Sequence, residues 1–284
     1  MSERIFITGS NGFIGSALTE RLGQEGIPFD KFDRNQDIPA ASSYSHIIHL
    51  AALTRGDEKE IQKANVNLTL RILEKIAESN PKPNLIFSST FAVYGIQNDL
   101  LEETSPTLPR NIYGKTKLEA ENLIREFSEK HNINSIILRF SNVYGQGMRP
   151  YSHSVVATFF DQIKKGNPLT INSDGNQKRD FIHISDVINA LIKSLKWDGK
   201  GVQIINICSQ ESISMNELAL EIAKVFKKQI VISYPRREEE DLGFWIGSNQ
   251  KAKEILHWTP EINLENGIRR YYEEEKDKNW DINS

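Results

Sequence analysis

A glycine-rich turn that directly follows a short apolar run is the feature that most constrains this chain. Residues 5–7 are Ile-Phe-Ile, and Gly9, Gly12 and Gly15 follow at intervals of three residues. In a strand-to-helix turn the first glycine can adopt unusual backbone angles. The second lets the main chain approach a pyrophosphate, and the third lets the helix pack on the strand. Free N–H groups and the dipole at the helix start favour bound phosphate, so the stretch predicts a dinucleotide site.

The glycine spacing is a weak signal when it is taken alone. It is Gly-x-x-Gly-x-x-Gly, whereas the usual fingerprint is Gly-x-Gly-x-x-Gly, and an ordinary strand-to-helix turn is the alternative. Asp33 strengthens the prediction because it follows a second plausible strand, residues 28–32, at the distance where a carboxylate meets the adenosine ribose. Arg34 leaves NADP open, since a guanidinium can meet a 2′-phosphate. We expect NAD because a carboxylate occupies the ribose position.

The composition is that of an ordinary globular protein. The chain has 284 residues, of which 38% are hydrophobic and 26% charged, so it can form one large domain or two closely packed ones. A net charge of −3 gives no overall electrostatic support for binding nucleic acid or an anionic membrane. The single cysteine, Cys208, excludes an internal disulfide and is expected to be a buried, small apolar residue. Without a signal-peptide pattern or a run of ~18 apolar residues, we expect a cytoplasmic protein.

Apolar segments of strand length alternate with segments of helical periodicity in the first half of the chain. After residues 28–32, the predicted strands are 45–52, 85–90 and 135–139, and the predicted helices are 16–23, 61–79 and 113–130. This alternation predicts an α/β fold, with a doubly wound parallel sheet covered by helices on both faces. Too few residues separate Asp33 from the next strand for a full crossover, so one repeat is expected to be truncated.

Past Asn142, glycines and prolines break the chain into shorter elements. Residues 184–207 have the pattern of a helix followed by a strand, and we expect them to return to the sheet. We therefore assign residues 1–141, together with 184–207, to a dinucleotide-binding domain. Residues 142–183 and 208–284 are assigned to a smaller, mixed α/β lobe that binds substrate.

A tyrosine and a lysine are candidates for acid/base chemistry. Tyr113 and Lys117 are four residues apart on a predicted helix, so their side chains project from one face. A nearby ammonium stabilises a phenolate, which makes a tyrosine usable as a proton acceptor closer to neutral pH. Chance spacing on a surface helix is the alternative. Thr90 weakens that alternative because it lies at a predicted strand end, where a parallel sheet forms its ligand crevice.

The sequence resembles the extended short-chain dehydrogenase/reductases of the NAD-dependent epimerase/dehydratase family, and is most similar to nucleotide-sugar 4-epimerases. The resemblance covers nearly the whole chain. The motifs that carry it are Thr8–Gly15, His49–Ala52, Asn65–Asn67, Phe87–Thr90, Val93–Gly95, Tyr113–Lys117, Arg139–Gly145 and Arg179–His183. It implies a Rossmann-type sheet with a smaller C-terminal substrate lobe.

The resemblance also implies residue roles. Tyr113 is the expected acid/base, Lys117 lowers its pKa and holds the nicotinamide ribose, and Thr90 assists. The implied cofactor-binding residues are Gly9, Asn11, Gly12, Phe13, Ile14, Gly15, Asp33, Arg34, Leu50, Ala51, Ala52, Asn65, Ser88, Tyr113 and Lys117. The implied substrate-binding residues are Thr90, Tyr113, Asn142, Arg179 and Arg237.

Two of the implied substrate residues are arginines, whose planar forks suit a diphosphate. The residues after Arg237 differ from those of the family, because Glu239 and Glu240 stand where glycine and aspartate are common. A mixed-charge surface loop is therefore the alternative interpretation of this segment. No metal is expected, since His49 and His183 lack a second ligand at metal-site spacing. The implied partners are a nucleoside diphosphate sugar and a second copy of the chain, with dimerisation through helices 61–79 and 113–130.

Three functions are compatible with the sequence. Dehydratases and decarboxylases of the family carry acidic residues near the strand-end threonine, where this chain has Phe91 and Ala92. A 4-epimerase that passes through a 4-keto intermediate is expected first. A 4-keto nucleotide-sugar reductase that uses external NAD(P)H is the alternative, and a non-catalytic dinucleotide sensor is a second one.

Overall fold

Six strands of the described residues form one parallel sheet. The structure is a computed structural model that describes residues 4–32, 37–97, 99–150, 154–235 and 245–277. The strands are β1 (Ile5–Thr8), β2 (Phe29–Lys31), β3 (His46–His49), β4 (Asn84–Thr90), β5 (Ser135–Phe140) and, later in the chain, β10 (Val202–Ile207). Their spatial order is β10-β5-β4-β3-β1-β2. The predicted α/β class with a doubly wound parallel sheet is confirmed.

Helices cover both faces of the sheet. These are α1 (Phe13–Gln24), α2 (Glu58–Gln62), α3 (Leu68–Ala77), α4 (Ile112–His131) and α6 (Ile184–Ser194). Ile5 and Ile7 point to a core shared with α1 and α6, whereas Phe6 points to a core shared with α3 and α4. Alternate residues thus pack on opposite faces of the sheet. For this reason the strands are apolar throughout, and not only at every second position.

One repeat of the sheet is truncated, as the sequence predicts. β2 is one of the two edge strands, and β3 pairs with β1 on the side away from β2. In the described part of the connection, only a short 3-10 turn, Ala41–Ser43, precedes β3. Asp33 and Arg34 belong to this connection and lie outside the described residues.

The predicted single helix over 61–79 is wrong in detail. A π turn, Lys63–Asn67, separates α2 from α3. Asn65 lies in this turn, where its side-chain Oδ1 accepts from Leu53 N–H at 2.7 Å and its Nδ2 donates to Leu53 O at 3.0 Å. These long-range bonds to a neighbouring loop favour a local change of helix pitch, and π turns of this kind are frequent at functional sites.

A smaller group of elements packs beyond the carboxyl ends of the strands. It contains β6 (Asn142–Tyr144), α5 (Val155–Lys164), β7 (Leu169–Thr170), β8 (Lys178–Arg179), β9 (Phe181–His183), β11 (Ile213–Ser214), α7 (Met215–Phe226), β12 (Ile232–Ser233) and α9 (Leu264–Glu275). One further helix, α8 (Gln250–Leu256), precedes α9 in the chain. Helices α5, α7 and α9 share one apolar core. None of the helices in the described ranges has the length and apolar character that a bilayer crossing requires.

The C-terminal third does not stay within this smaller group. Leu256 of α8 and the following Trp258 belong to the core between the sheet, α1 and α6. The indole Nε1 of Trp258 donates to Asp186 O at 3.0 Å, and the Asp186 carboxylate accepts from Glu261 N–H and Ile262 N–H. Residues 250–262 therefore pack on the sheet side of the molecule. The division into a dinucleotide-binding domain (1–141 with 184–207) and a substrate lobe (142–183 with 208–284) stays a prediction.

Substituting Leu256 tests whether α8 is part of the main core. Leu256→Ala is expected to lower the free energy of unfolding by about 2–5 kcal/mol, because it leaves a cavity at a side chain that is only 5% exposed. The matched control is Leu220→Ala on α7, where the leucine is 52% exposed and the change should stay within about 0.5 kcal/mol. Urea denaturation measures both, and equal effects would contradict the packing of α8.

Candidate active site

In the glycine loop, residues 9–15, the main chain lies directly against the main chain of neighbouring segments. Gly9 has a φ of +73°, and a Cβ atom there would come within 2.6 Å of Ala51 N. At Gly15, in the first turn of α1, a Cβ would come within 2.1 Å of Gly9 O. Gly12 is the N-cap of α1, and its N–H donates to Gly9 O at 3.0 Å. A side chain at Gly9 or Gly15 would therefore push the loop away from β3 or from α1.

A buried histidine connects the loop to the neighbouring strand. Nδ1 of His49 hydrogen-bonds Thr8 Oγ1 at 2.7 Å, and its Nε2 hydrogen-bonds Thr69 Oγ1 at 2.9 Å. Burial, and in second place the charge of Lys117, lower the pKa of His49 to about 3, so the ring is neutral at neutral pH. These contacts give His49 a structural position. His183 also has one, as the N-cap of α6.

The residues expected on the cofactor side lie at the carboxyl ends of adjacent strands. Gly9 to Gly15 follow β1, Leu50 to Ala52 follow β3, and Ser88 lies near the end of β4, where its hydroxyl donates to His49 O at 3.2 Å. Asn65 joins this group through the π turn, since its Nδ2 also donates to Thr116 Oγ1 on α4 at 2.9 Å. The structure thus brings the described cofactor-side residues to one edge of the sheet, as parallel strands require.

Tyr113 lies in the first turn of α4 beside the end of β4. The helix comes this close because position 114 is glycine, where a Cβ would meet Ala92 O at 2.6 Å. Thr90 Oγ1 accepts from Ala92 N–H at 3.2 Å, and a further hydrogen bond links Thr90 to Tyr113. Burial raises the pKa of Tyr113 to about 12, while the bond from Thr90 acts in the opposite direction. A phenolate at Tyr113 consequently needs a positive neighbour.

Lys117, the positive group expected to serve Tyr113, lies one turn further along α4. Its side chain is 1% exposed, and its Nζ lies 3.9 Å from the centroid of the Phe87 ring. Burial lowers the pKa of Lys117 to about 7, and the negative charge of Glu121 partly opposes this shift. The aromatic face also favours the charged form. The ammonium is therefore held in apolar surroundings, where its effect on a nearby phenol is large.

Two of the residues expected on the substrate side, Asn142 and Arg179, lie beside Asp180. Asn142 donates to Asp180 O through its main-chain N–H at 3.0 Å and through its Nδ2 at 2.9 Å. Arg179 is next in sequence to Asp180. Its Cζ lies 4.8 Å from the Trp245 ring centroid, and the indole Nε1 of Trp245 donates to Gly95 O at 2.7 Å. Asn142 thus hydrogen-bonds the residue that follows Arg179, whereas Arg237 lies outside the described residues.

Asp180 itself is a buried carboxylate that sequence reasoning missed. It accepts from Ser141 Oγ at 2.8 Å and from the N–H groups of Ser209 and Gln210 at 2.9 Å each. Burial raises its pKa to about 6, although these hydrogen bonds act to lower it. The arrangement ties the strand-end loop after β10 to the segment that carries Arg179. Trp245 was also missed, because nothing in the sequence pairs it with an arginine far away in the chain.

No cluster of three or more His, Cys, Asp or Glu side chains within the described ranges is placed to hold a metal ion. The chemistry that the described residues offer is proton transfer at Tyr113 and anion binding at Arg179 and at the start of α1. Cys208 is buried just after β10, as expected for a small apolar residue.

Comparison with known proteins gives a consistent picture. A family model described as the NAD dependent epimerase/dehydratase family matches residues 5–208. A protein of Methanocaldococcus jannaschii, provisionally named a UDP-glucose 4-epimerase, is 30% identical over 94% of this chain and 96% of its own length. The dTDP-4-dehydro-6-deoxyglucose reductase of Escherichia coli is 29% identical over 93% of this chain and 95% of its own.

The fold is also similar to that of a solved structure. UDP-glucuronic acid 4-epimerase from Bacillus cereus, crystallised with UDP-glucuronic acid and NAD, superposes with a TM-score of 0.87 at 25% identity. The match covers 96% of this chain and 99% of that one. Both the sequence and the fold of this chain are therefore similar to those of nucleotide-sugar enzymes over nearly their full length.

Two glycines of α1 provide a matched test of the loop. Gly15→Ala should destabilise the protein by about 1–3 kcal/mol and weaken NAD binding, because the new methyl group displaces Gly9 O. Gly23→Ala lies on the same helix, where a Cβ meets nothing within 4 Å, and it should stabilise by about 0.5–1 kcal/mol without changing NAD binding. Thermal unfolding and calorimetric titration with NAD measure the pair. Similar behaviour of the two variants would argue against the close approach at Gly15.

Proposed function

This chain belongs to the NAD-dependent epimerase/dehydratase family, and we propose that it is an NAD-dependent 4-epimerase of a nucleoside diphosphate sugar. The observation that carries the proposal is the group formed by Thr90, Tyr113 and buried Lys117 at the sheet edge that also holds the glycine loop. A hydrogen-bonded phenol with a desolvated ammonium one helical turn away is equipped to remove a proton from a sugar hydroxyl.

The glycine loop fits a dinucleotide. Gly9 and Gly15 leave no space for side chains, and Gly12 is exposed at the start of α1, where main-chain N–H groups can receive a pyrophosphate. Lys117 and Asn65 would hold the nicotinamide end. We retain NAD rather than NADP on the expectation that Asp33 meets the ribose.

In the proposed reaction, Tyr113 accepts the proton of the C4 hydroxyl and later returns a proton to the same oxygen. NAD, when bound, supplies the hydride acceptor and donor for C4. Thr90 donates a hydrogen bond to the phenolate oxygen, and the Lys117 ammonium stabilises its charge. Buried surroundings strengthen both effects because water does not screen them.

The diphosphate is assigned to Arg179 and Asn142, with Arg237 as a further expected contact. Trp245 stacks on the Arg179 guanidinium and is itself fixed by its hydrogen bond to Gly95. A guanidinium held in this way loses little side-chain freedom when it binds a phosphate. The names of the relatives favour a uridine nucleotide.

Apolar residues after Thr90 argue against elimination chemistry. Phe91 and Ala92 lie in a 3-10 turn (Phe91–Val93) and are buried; Phe91 and Val93 pack with Tyr94. This turn offers no carboxylic acid that could protonate a leaving hydroxyl. A reductase of a 4-keto sugar remains the second candidate, and the similarity to the E. coli reductase favours it.

Isotope labelling separates these activities. We expect the protein to carry bound NAD and, without added cofactor, to convert a C4-deuterated UDP-sugar into its 4-epimer with the deuterium retained at C4. A reductase would instead need added NAD(P)H and a 4-keto sugar, and would take deuterium from labelled NAD(P)H into the product. Bound dinucleotide without turnover of either substrate would support the sensor and contradict both enzymes.

Tyr113→Phe tests the acid/base assignment in the same assay. It should lower kcat by roughly 10²–10⁴-fold, because the proton acceptor is lost, while the NAD content and the unfolding temperature stay near those of the parent. Tyr272→Phe on α9 is the control and should keep full activity. Undiminished turnover by the Tyr113→Phe protein would sink the assignment.

We further propose a homodimer formed through α3 and α4. These helices lie side by side, and Gln62 Nε2 at the end of α2 donates to Glu119 Oε2 on α4 at 2.9 Å. Sedimentation should give twice the 32.4 kDa chain mass. Leu70→Lys, on the part of α3 turned from the core, should yield monomers, whereas Leu220→Lys on α7 should not. A parent protein that sediments as a monomer would contradict the dimer.

A further inference from the structure

A buried ion pair lies behind the Tyr113 and Lys117 site. Glu121 and Arg139 are 1% and 3% exposed at their side chains, and two parallel contacts join them, Nη2 to Oε2 at 2.6 Å and Nε to Oε1 at 3.0 Å. Ser89 Oγ also donates to Oε1 of Glu121. On the far side, the Arg139 Cζ lies 4.7 Å from the centroid of the Tyr94 ring. Both ions are thus removed from water and their geometry is fixed.

The position of Glu121 connects it to the proposed chemistry. Tyr113, Lys117 and Glu121 recur every four residues on α4, so they lie along one face of the helix. Ser89, which donates to Glu121, directly precedes Thr90, which hydrogen-bonds Tyr113. The carboxylate therefore contacts the strand that carries Thr90 and lies one turn from the ammonium.

Stability alone does not account for this pair. Replacing a buried ion pair by apolar side chains of similar volume is often neutral or stabilising, because desolvation of both ions offsets their attraction. The same helix also packs on the sheet through apolar residues such as Ala120 and Ile124. The position of Glu121 one turn from Lys117 on α4 points instead to a role in the electrostatics of the site.

We propose that Glu121 is a positioning residue that keeps Lys117 protonated and holds α4 in register with Thr90, with Arg139 and Ser89 fixing the carboxylate. The proposal rests on the proposed function, because it concerns the charge state of the Tyr113 and Lys117 pair. It adds a third member of the helix face to the site, although Glu121 does not touch substrate.

The groups around Lys117 show why such support is needed. His49 faces it from β3 but is neutral, and the Phe87 ring of β4 is apolar. From α4, Tyr113 is uncharged in its resting form, and the carboxylate of Glu121 opposes the effect of burial. Arg139 of β5 is paired with that carboxylate.

Two arrangements of the same protons compete in this site. The working base is a Tyr113 phenolate beside a Lys117 ammonium. Moving one proton from the lysine to the tyrosine gives a neutral pair that cannot accept the substrate proton, with no change in the total number of bound protons. The negative charge of Glu121 favours the working arrangement because it attracts the ammonium. Losing that charge lowers the working fraction at every pH.

A double variant separates the electrostatic role from a structural one. Glu121→Met with Arg139→Met removes the pair without leaving an unpaired buried charge, so the protein should fold and retain bound NAD. We expect kcat/KM to fall about 10-fold for each unit by which the pKa of Lys117 drops. The acid limb of its pH profile should move to lower pH. Glu126→Gln, an exposed change on α4, is the control and should leave both quantities unchanged.

The pKa of Lys117 is measured directly, independently of turnover. NMR titration of isotopically labelled lysine side chains, assigned with Lys117→Met, should show a lower Lys117 pKa in the double variant by one unit or more. Glu121→Gln provides a second variant should the double one fold poorly, and the pKa should fall at least as far in it. An unchanged Lys117 pKa in these variants, or parental kcat/KM in a folded double variant, would overturn the proposal. The titration still tests the proposal if the parent protein is inactive on every sugar, because it measures the Lys117 pKa and not turnover.

Discussion

Close approach of main chain to main chain around Gly9 and Gly15 is the constraint on which the rest of the structure depends. Because α1 begins against the end of β1, and β3 lies directly beside the loop, the carboxyl ends of the central strands converge on one narrow edge. The edge can then receive an extended, phosphate-containing molecule at the start of α1. The position of α4 is set by a second close approach, at Gly114, which brings Tyr113 to Thr90. Glycines at these close contacts thus determine where Tyr113 and the start of α1 lie.

Local pattern predicted much of the fold. The apolar runs marked β1, β4 and β5 because a strand buried on both faces has no polar alternation, and the ends of α4 were predicted within a few residues by its periodicity. The π turn at Asn65 was missed, since it follows from hydrogen bonds to Leu53, which no periodicity encodes. The return of Leu256 and Trp258 to the main core was missed for a similar reason: an apolar residue in a short helix does not specify which of two cores it joins.

The candidate site divides in the same way. The placement of Thr90 at a strand end and of Tyr113 and Lys117 on one helix could be predicted because these are local features. The contacts of Asp180 and Trp245 and the pair of Glu121 with Arg139 join distant segments. Several of these residues are buried and ionisable, so their charges are set by neighbours and not by solvent. Burial lowers the pKa of Lys117 to about 7, so its charge state near neutral pH depends on such neighbours. The charge states of such buried groups are maintained only while each hydrogen-bonding or charged partner is held in place.

The truncated repeat has a consequence for the solubility of the sheet. With β2 at the edge, its outer N–H and C=O groups face outward and could template pairing with another chain. The strand is only three residues long, its exposed Lys31 carries a charge, and Asp30 is occupied by an ion pair with Arg4 and a hydrogen bond from Tyr44. Short length and charge are the means by which natural edge strands resist aggregation. The short connection between β2 and β3 therefore leads away from an edge strand whose length and charge discourage fibre-like association.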